Sequence, residues 1–64
     1  MQTGKVKFFN REKGFGFVIA DDDKKEYFVH KSECHNYVPN EGDEVQFELI
    51  DGKKGKMCGN VSLL

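Results

Sequence analysis

Hydrophobic and polar positions alternate along this chain with a period of two, and no stretch carries a helical period. Val6 stands between Lys5 and Lys7. Phe15 and Phe17 alternate with Gly14, Gly16 and Val18. Tyr27 and Val29 alternate with Phe28 and His30, and Val45, Phe47 and Leu49 with Glu44, Gln46 and Glu48. Successive side chains of a strand point to opposite faces, so this pattern reads as strand. It predicts strands at Thr3–Asn10, Gly14–Ala20, Lys25–His30, Glu44–Ile50 and Lys56–Leu63, the last with Met57, Gly59 and Val61 inward. Turn residues punctuate them at Asn10–Gly14, Asp21–Lys24 and Asp51–Gly55. The longest connection, His35–Asp43, holds Tyr37, Pro39 and Gly42, and Ser32 is placed to cap a short helical turn before it. Five short strands predict an all-β fold closed into a small barrel, which leaves no open sheet edge.

Two places break the simple pattern. Phe8 and Phe9 are adjacent, so one of them must face away from the core; a bulge or a strand end is expected there. In Lys13–Val18, read as KGFGFV, both Phe rings share one face and glycines back them on the other. Phe28 and His30 add an aromatic ring and an imidazole to an outward set. A flat aromatic surface with a lysine at its entrance suits unpaired nucleobases, which stack, and their phosphates, which need positive charge.

Composition narrows the classes. With 64 residues the chain is expected to form one domain over residues 1–64, with a small core. A formal net charge of -1 argues against a purely electrostatic polyanion binder but leaves room for a local basic face. No apolar run is long enough to span a membrane and the start is no signal peptide, so the expected location is the cytoplasm. The two cysteines read as small hydrophobes rather than a disulfide. A metal site from His30, Cys34, His35 and Cys58 fits no standard zinc spacing, and three adjacent aspartates at Asp21–Asp23 lack the spacing of a calcium loop. No nucleophile and base stand at a readable spacing, so neither an enzyme nor a cofactor is expected.

KVKFFN at Lys5–Asn10, KGFGFV at Lys13–Val18 and YFVHKS at Tyr27–Ser32 resemble the bacterial cold shock proteins. The last two are similar to the ribonucleoprotein-type motifs of that family in order and spacing. GDEVQFEL at Gly42–Leu49 and GNV at Gly59–Val61 are similar to its C-terminal half. The resemblance covers nearly the whole chain. It implies a five-stranded antiparallel β-barrel of the oligonucleotide-binding type. It further implies binding of single-stranded RNA and DNA with weak sequence preference, and an RNA-chaperone role.

The resemblance carries roles over by position. It implies that Phe15, Phe17 and Phe28 are the central stacking rings and that His30 ends the platform. Lys7 and Lys13 match lysines beside the rings. Phe8 stands where the family usually has Trp, with less area and no indole N–H, so that subsite is expected to be weaker. Lys31 stands where an aromatic is usual, exchanging a stacking contact for a phosphate contact, and Lys56 where Pro is frequent. Tyr37 is a loose match for a loop aromatic, and Phe9 is a secondary candidate. These departures imply fewer stacked bases and a stronger salt dependence than a typical member has.

Charge placement agrees with such a face. Lys5, Lys7, Arg11, Lys13, Lys31 and Lys56 fall on or beside it, whereas Asp21, Asp22, Asp23, Glu41, Asp43, Glu44 and Glu48 lie in other segments. Competing readings are a transcriptional regulator or antiterminator, and a module that docks a peptide on its aromatic face. A monomer is the family expectation; a small barrel with an exposed aromatic face can also exchange strands with a second copy.

Overall fold

Five strands are present in the computed structural model, which describes residues 1–34, 37–52 and 55–64. They are β1 (Gln2–Asn10), β2 (Phe15–Ala20), β3 (Glu26–His30), β4 (Glu44–Gly52) and β5 (Gly55–Leu63). The strand order β1-β2-β3-β5-β4 closes on itself as a barrel. Neighbours pair antiparallel except β3 and β5, which run parallel over Phe28↔Met57 and Val29↔Cys58. The expected five-stranded antiparallel barrel is thus present; an odd number of strands cannot close a ring without one parallel seam, and here it falls between β3 and β5.

Alternation builds the core. Val6, Val18, Ala20, Val29, Cys34, Val45, Phe47, Cys58 and Val61 are buried, and among the described residues no polar or charged one is. Phe47 is the one large side chain among them; the rest are small or β-branched, as a narrow barrel requires. Phe9, Tyr27, Tyr37 and Leu49 pack against this cluster from its rim.

Two bulges set the phase of the strands. In β1, Val6 pairs with Val18 and Phe8 with Phe17, so Lys7 is the extra residue. The irregularity lies one step before the Phe8–Phe9 pair rather than within it. It lets Val6 and Phe9, three residues apart, both turn inward while Phe8 faces out. In β5, Gln46 pairs with Ser62 and Glu48 with Gly59, so Asn60 and Val61 together oppose Phe47. Asn60 takes φ 49°, a left-handed value that Asn tolerates. The inward set expected for β5 is therefore corrected. Cys58 and Val61 enter the core, Met57 is half-buried on the outer face, and Gly59 lies under the Ile50 side chain.

The turns close as their residues suggest. Gly14 belongs to the first turn rather than to β2. It has φ 75° and donates its N–H to the Asn10 carbonyl at 2.7 Å. At the acidic tip, Asp23 accepts from the Lys25 N–H at 3.0 Å and from the Tyr27 hydroxyl at 2.7 Å, while Asp21 accepts from Thr3 at 2.8 Å. These carboxylates serve the turn and its flanks. After β3 a one-turn 3-10 helix spans Lys31–Glu33, and its cap is His30, not Ser32. The His30 Nδ1 accepts the Ser32 N–H at 3.1 Å. The expected connection His35–Asp43 and basic turn Asp51–Gly55 include positions 35–36 and 53–54, which lie outside the described residues, as does the His35 of the metal alternative.

Candidate nucleic-acid interface

The bulge at Lys7 and the pairing of the strands bring one row of side chains across the outer face. Phe8 on β1 pairs with Phe17 on β2, Phe17 with Phe28 on β3, Phe28 with Met57 on β5, and Met57 with Ile50 on β4. A second row places Phe15 opposite His30. Ring centroids lie 5.5 Å apart for Phe8 and Phe17, 6.0 Å for Phe17 and Phe28, 5.8 Å for Phe15 and Phe28, and 6.4 Å for Phe28 and His30. Phe15 and Phe28 are near-parallel at 26°, whereas Phe17 meets Phe28 edge-on at 76°. Such pairs support one another by about 0.5–1.5 kcal/mol each. That holds the rings in place without covering their outer faces.

The backbone behind the rings explains why they stay outside. A Cβ on Gly16 would fall 2.7 Å from the Phe9 Cα and against the Phe8 carbonyl. Glycine there lets β1 and β2 approach closely, and Phe9 fills the space on the inner side. Phe8 remains 39% exposed. Phe15, Phe17 and Phe28 are half-buried beside it, so the row as a whole keeps part of its apolar surface in water, as a surface that meets a partner does.

Phe15, Phe17, Phe28, His30 and Lys56 line one hollow, together with Met57, Ile50, Glu26, Glu33 and Asp51. Phe8 adjoins it through Phe17. Lys7 is next to Phe8 and is joined to Glu26 by an ion pair. Lys13 lies in the turn before β2, its N–H held by the Asn10 side chain at 3.0 Å. Lys31 and Tyr37 stand apart from the rings. They line a second, smaller depression with Phe9, Val38 and Pro39, and Ser32 borders both. The Lys31 chain lies against Gly14, whose carbonyl accepts the Lys31 N–H at 2.8 Å. Lys31 therefore sits beside the Lys13 turn at the edge of the platform.

Electrostatics in the hollow are more balanced than the segment-by-segment reading suggests. Glu26, Glu33 and Asp51 reach it. Lys56 pairs with Asp51 at 2.9 Å, Lys7 pairs with Glu26, and Arg11 is held by Asn40. Exposed pairs of this kind contribute about 0–1 kcal/mol, so a phosphate can displace either carboxylate. The His30 ring has a defined polarity. A backbone N–H only donates, so Nδ1 is the acceptor and the neutral ring carries its proton on Nε2.

Elsewhere, Tyr37 donates to Asp43 at 2.7 Å. Burial and that bond raise the phenol above its ordinary 10.0. The same bond, with the Asn40 N–H, holds Asp43 below its ordinary 3.8. Cys34 and Cys58 are free and buried. Burial pushes their thiols up to about 11 and about 12. Among the described residues no group of three or more His, Cys, Asp or Glu is placed to hold a metal, and no helix is long and apolar enough to cross a membrane.

Met57, Ile50 and the three groove carboxylates were not legible as site residues. The bulge at Asn60 hides the phase of β5, and Glu26, Glu33 and Asp51 come together from three separate segments.

Comparison with known proteins agrees with this arrangement. Residues 2–64 match the family model of the 'cold-shock' DNA-binding domain. The chain is 46% identical over 65 residues to the cold shock-like protein CspD of Bacillus cereus, with 97% of each chain covered. It is 42% identical over 67 residues to the major cold shock protein of Micrococcus luteus, with 100% of each covered. It is 45% identical over 64 residues to the cold shock protein CspD of Bacillus subtilis, with 95% of this chain and 96% of the other covered. A closed five-stranded barrel with these motifs, matched over nearly its whole length, belongs to the cold-shock domain family of non-enzymatic nucleic-acid-binding proteins.

Proposed function

We propose that this chain binds single-stranded RNA and DNA and acts as an RNA chaperone in the cytoplasm, as one domain and as a monomer. Unpaired bases stack on Phe8, Phe15, Phe17, Phe28 and His30, while Lys7, Lys13, Lys31 and Lys56 follow the phosphates. The observation that carries this reading is the row Phe8–Phe17–Phe28, with Phe15 and His30 beside it, held open on the outer face.

The energetics suit a passive mechanism. Each stacked base is worth about 1–3 kcal/mol by truncation, so three or four give useful affinity. A base inside a duplex already has both faces covered and has none to offer the rings. Binding therefore favours open strands and shifts hairpins towards them by mass action, with no ATP required. Tyr37 joins the surface only through the second depression, at its edge.

The test is anisotropy of a labelled oligothymidine beside a duplex of equal length, at two salt concentrations. A labelled ligand is needed because the chain has no Trp. Tighter binding of the single strand with a modest salt slope is the expected result. Equal binding to duplex with a steep slope would assign the surface to general polyanion contact. A hairpin beacon that opens on titration, without ATP, tests the chaperone step.

A further inference from the structure

Met57 extends the row of rings across β5. It pairs with Phe28 on one side and Ile50 on the other, lines the same hollow as Phe15, Phe17 and Phe28, and is partly exposed. Its sulfur lies over Gly52, where a Cβ would come within 2.7 Å of it. Gly52 lines the same hollow.

We propose that Met57 is an oxidation site through which peroxide-class oxidants weaken nucleic-acid binding at the aromatic face; this rests on the single-strand reading above. In the step, a sulfur lone pair attacks one peroxide oxygen. The O–O bond breaks, an S–O bond forms, and the second oxygen leaves as water after proton transfer. The thioether is oxidised by two electrons and the peroxide reduced by two. The product is a chiral, strongly polar sulfoxide in place of an adaptable apolar group. A base laid against Phe28 and Met57 would then have to strip water from the sulfoxide oxygen without offering it a donor.

The other sulfurs of the chain do not compete for this role. The chain holds two Cys and two Met. Cys34 and Cys58 are 8% and 0% exposed, and burial raises both thiols to values at which little thiolate exists near neutrality. Met1 is 71% exposed, but it precedes β1 and does not line the hollow. Met1 is thus an internal control for oxidation as such.

The experiment treats the full chain with hydrogen peroxide and locates the added oxygen by peptide mass spectrometry. Oligothymidine binding and thermal unfolding are measured before and after. Oxidation at Met57 is expected to weaken binding about tenfold, the cost of desolvating one unpaired polar group, with the cooperative unfolding transition retained. Methionine sulfoxide reductases with dithiothreitol restore it. Met57→Leu, compared with itself, keeps its affinity through peroxide treatment, whereas Met1→Leu still loses it. Unchanged affinity with Met57 oxidised overturns the inference alone, as does loss that tracks unfolding or persists in Met57→Leu. No single-strand binding before oxidation overturns both the inference and the reading beneath it.

Discussion

Phe8 stands directly opposite Phe17 across β1 and β2, their centroids 5.5 Å apart, because Lys7 is the extra residue between Val6 and Phe8. Without that bulge Phe8 would keep the phase of Val6 and point into the core. A single inserted position thus decides whether the platform has a ring on β1. Phe8→Trp enlarges that ring and adds an N–H at an exposed position. It is expected to tighten oligothymidine binding about threefold to tenfold. The new indole supplies its own readout, since stacking a base on it quenches its fluorescence.

Phe17 and Phe47 separate binding from folding. Phe17→Ala removes the ring that touches both Phe8 and Phe28 and is expected to cost about 1–3 kcal/mol of binding. Its cost to stability is about 1–3 kcal/mol, from the two lost ring pairs. Phe47 is fully buried, so Phe47→Ala is expected to cost about 3–5 kcal/mol of stability. Urea denaturation and oligothymidine titration of both variants check the contrast. A collapse of Phe17→Ala with affinity retained would move that ring into the core.

Lys56 is held by Asp51 at 2.9 Å beside the rings. Asp51→Asn frees the ammonium and removes a carboxylate from the hollow. The expected outcome is tighter binding at low salt, with the slope of log K against log salt steeper by about 0.7 for one added phosphate contact. An unchanged slope would place Lys56 off the phosphate path.

Gly16→Ala is expected to destabilise the barrel. The added Cβ meets the backbone of Phe8 and Phe9, which cannot turn aside as a flexible side chain can. Overpacking of this kind costs about 1–3 kcal/mol, and β1 must move away from β2 to relieve it. Affinity should fall as well, because Phe8 moves with β1. Chemical denaturation measures the first effect and anisotropy the second.

The Tyr37–Asp43 bond ties stability to pH on both flanks. Asp43 is held below 3.8 by the Tyr37 hydroxyl and the Asn40 N–H. Its contribution is therefore complete above that value and is lost as pH falls through the folded-state value below it. Tyr37 is raised above 10.0, by burial first and Asp43 second. Its contribution is complete below 10.0 and is lost as pH rises beyond it. Tyr37→Phe is expected to flatten the alkaline limb of a stability–pH profile and shrink the acid one. Thermal melts across the range measure both.

Much of this protein was legible in advance, for identifiable reasons. Each strand is found within two residues of its expected ends, because period-two alternation reports directly which side chains leave water. Phe15, Phe17, Phe28 and His30 share a face because they sit at even spacing within regular strands. Alternation alone places Met57 inward; Asn60 adds one residue to β5, and the phase inverts across that bulge. Residue type points to Ser32 as the cap, whereas the structure gives that place to His30, two residues earlier, whose ring accepts the Ser32 N–H.

The chain's own order of residues determines five strands, an all-β core and a surplus of outward aromatics, since each follows from local alternation and side-chain size. Only closure of the barrel decides which aromatics meet. It sets Phe8, Phe17, Phe28 and Met57 in one row although they come from four strands. It also brings Glu26, Glu33 and Asp51 to the lysines of the same surface. Register and bulges, which exist only between strands, fix those neighbours, and period-two alternation within a single strand carries no record of them.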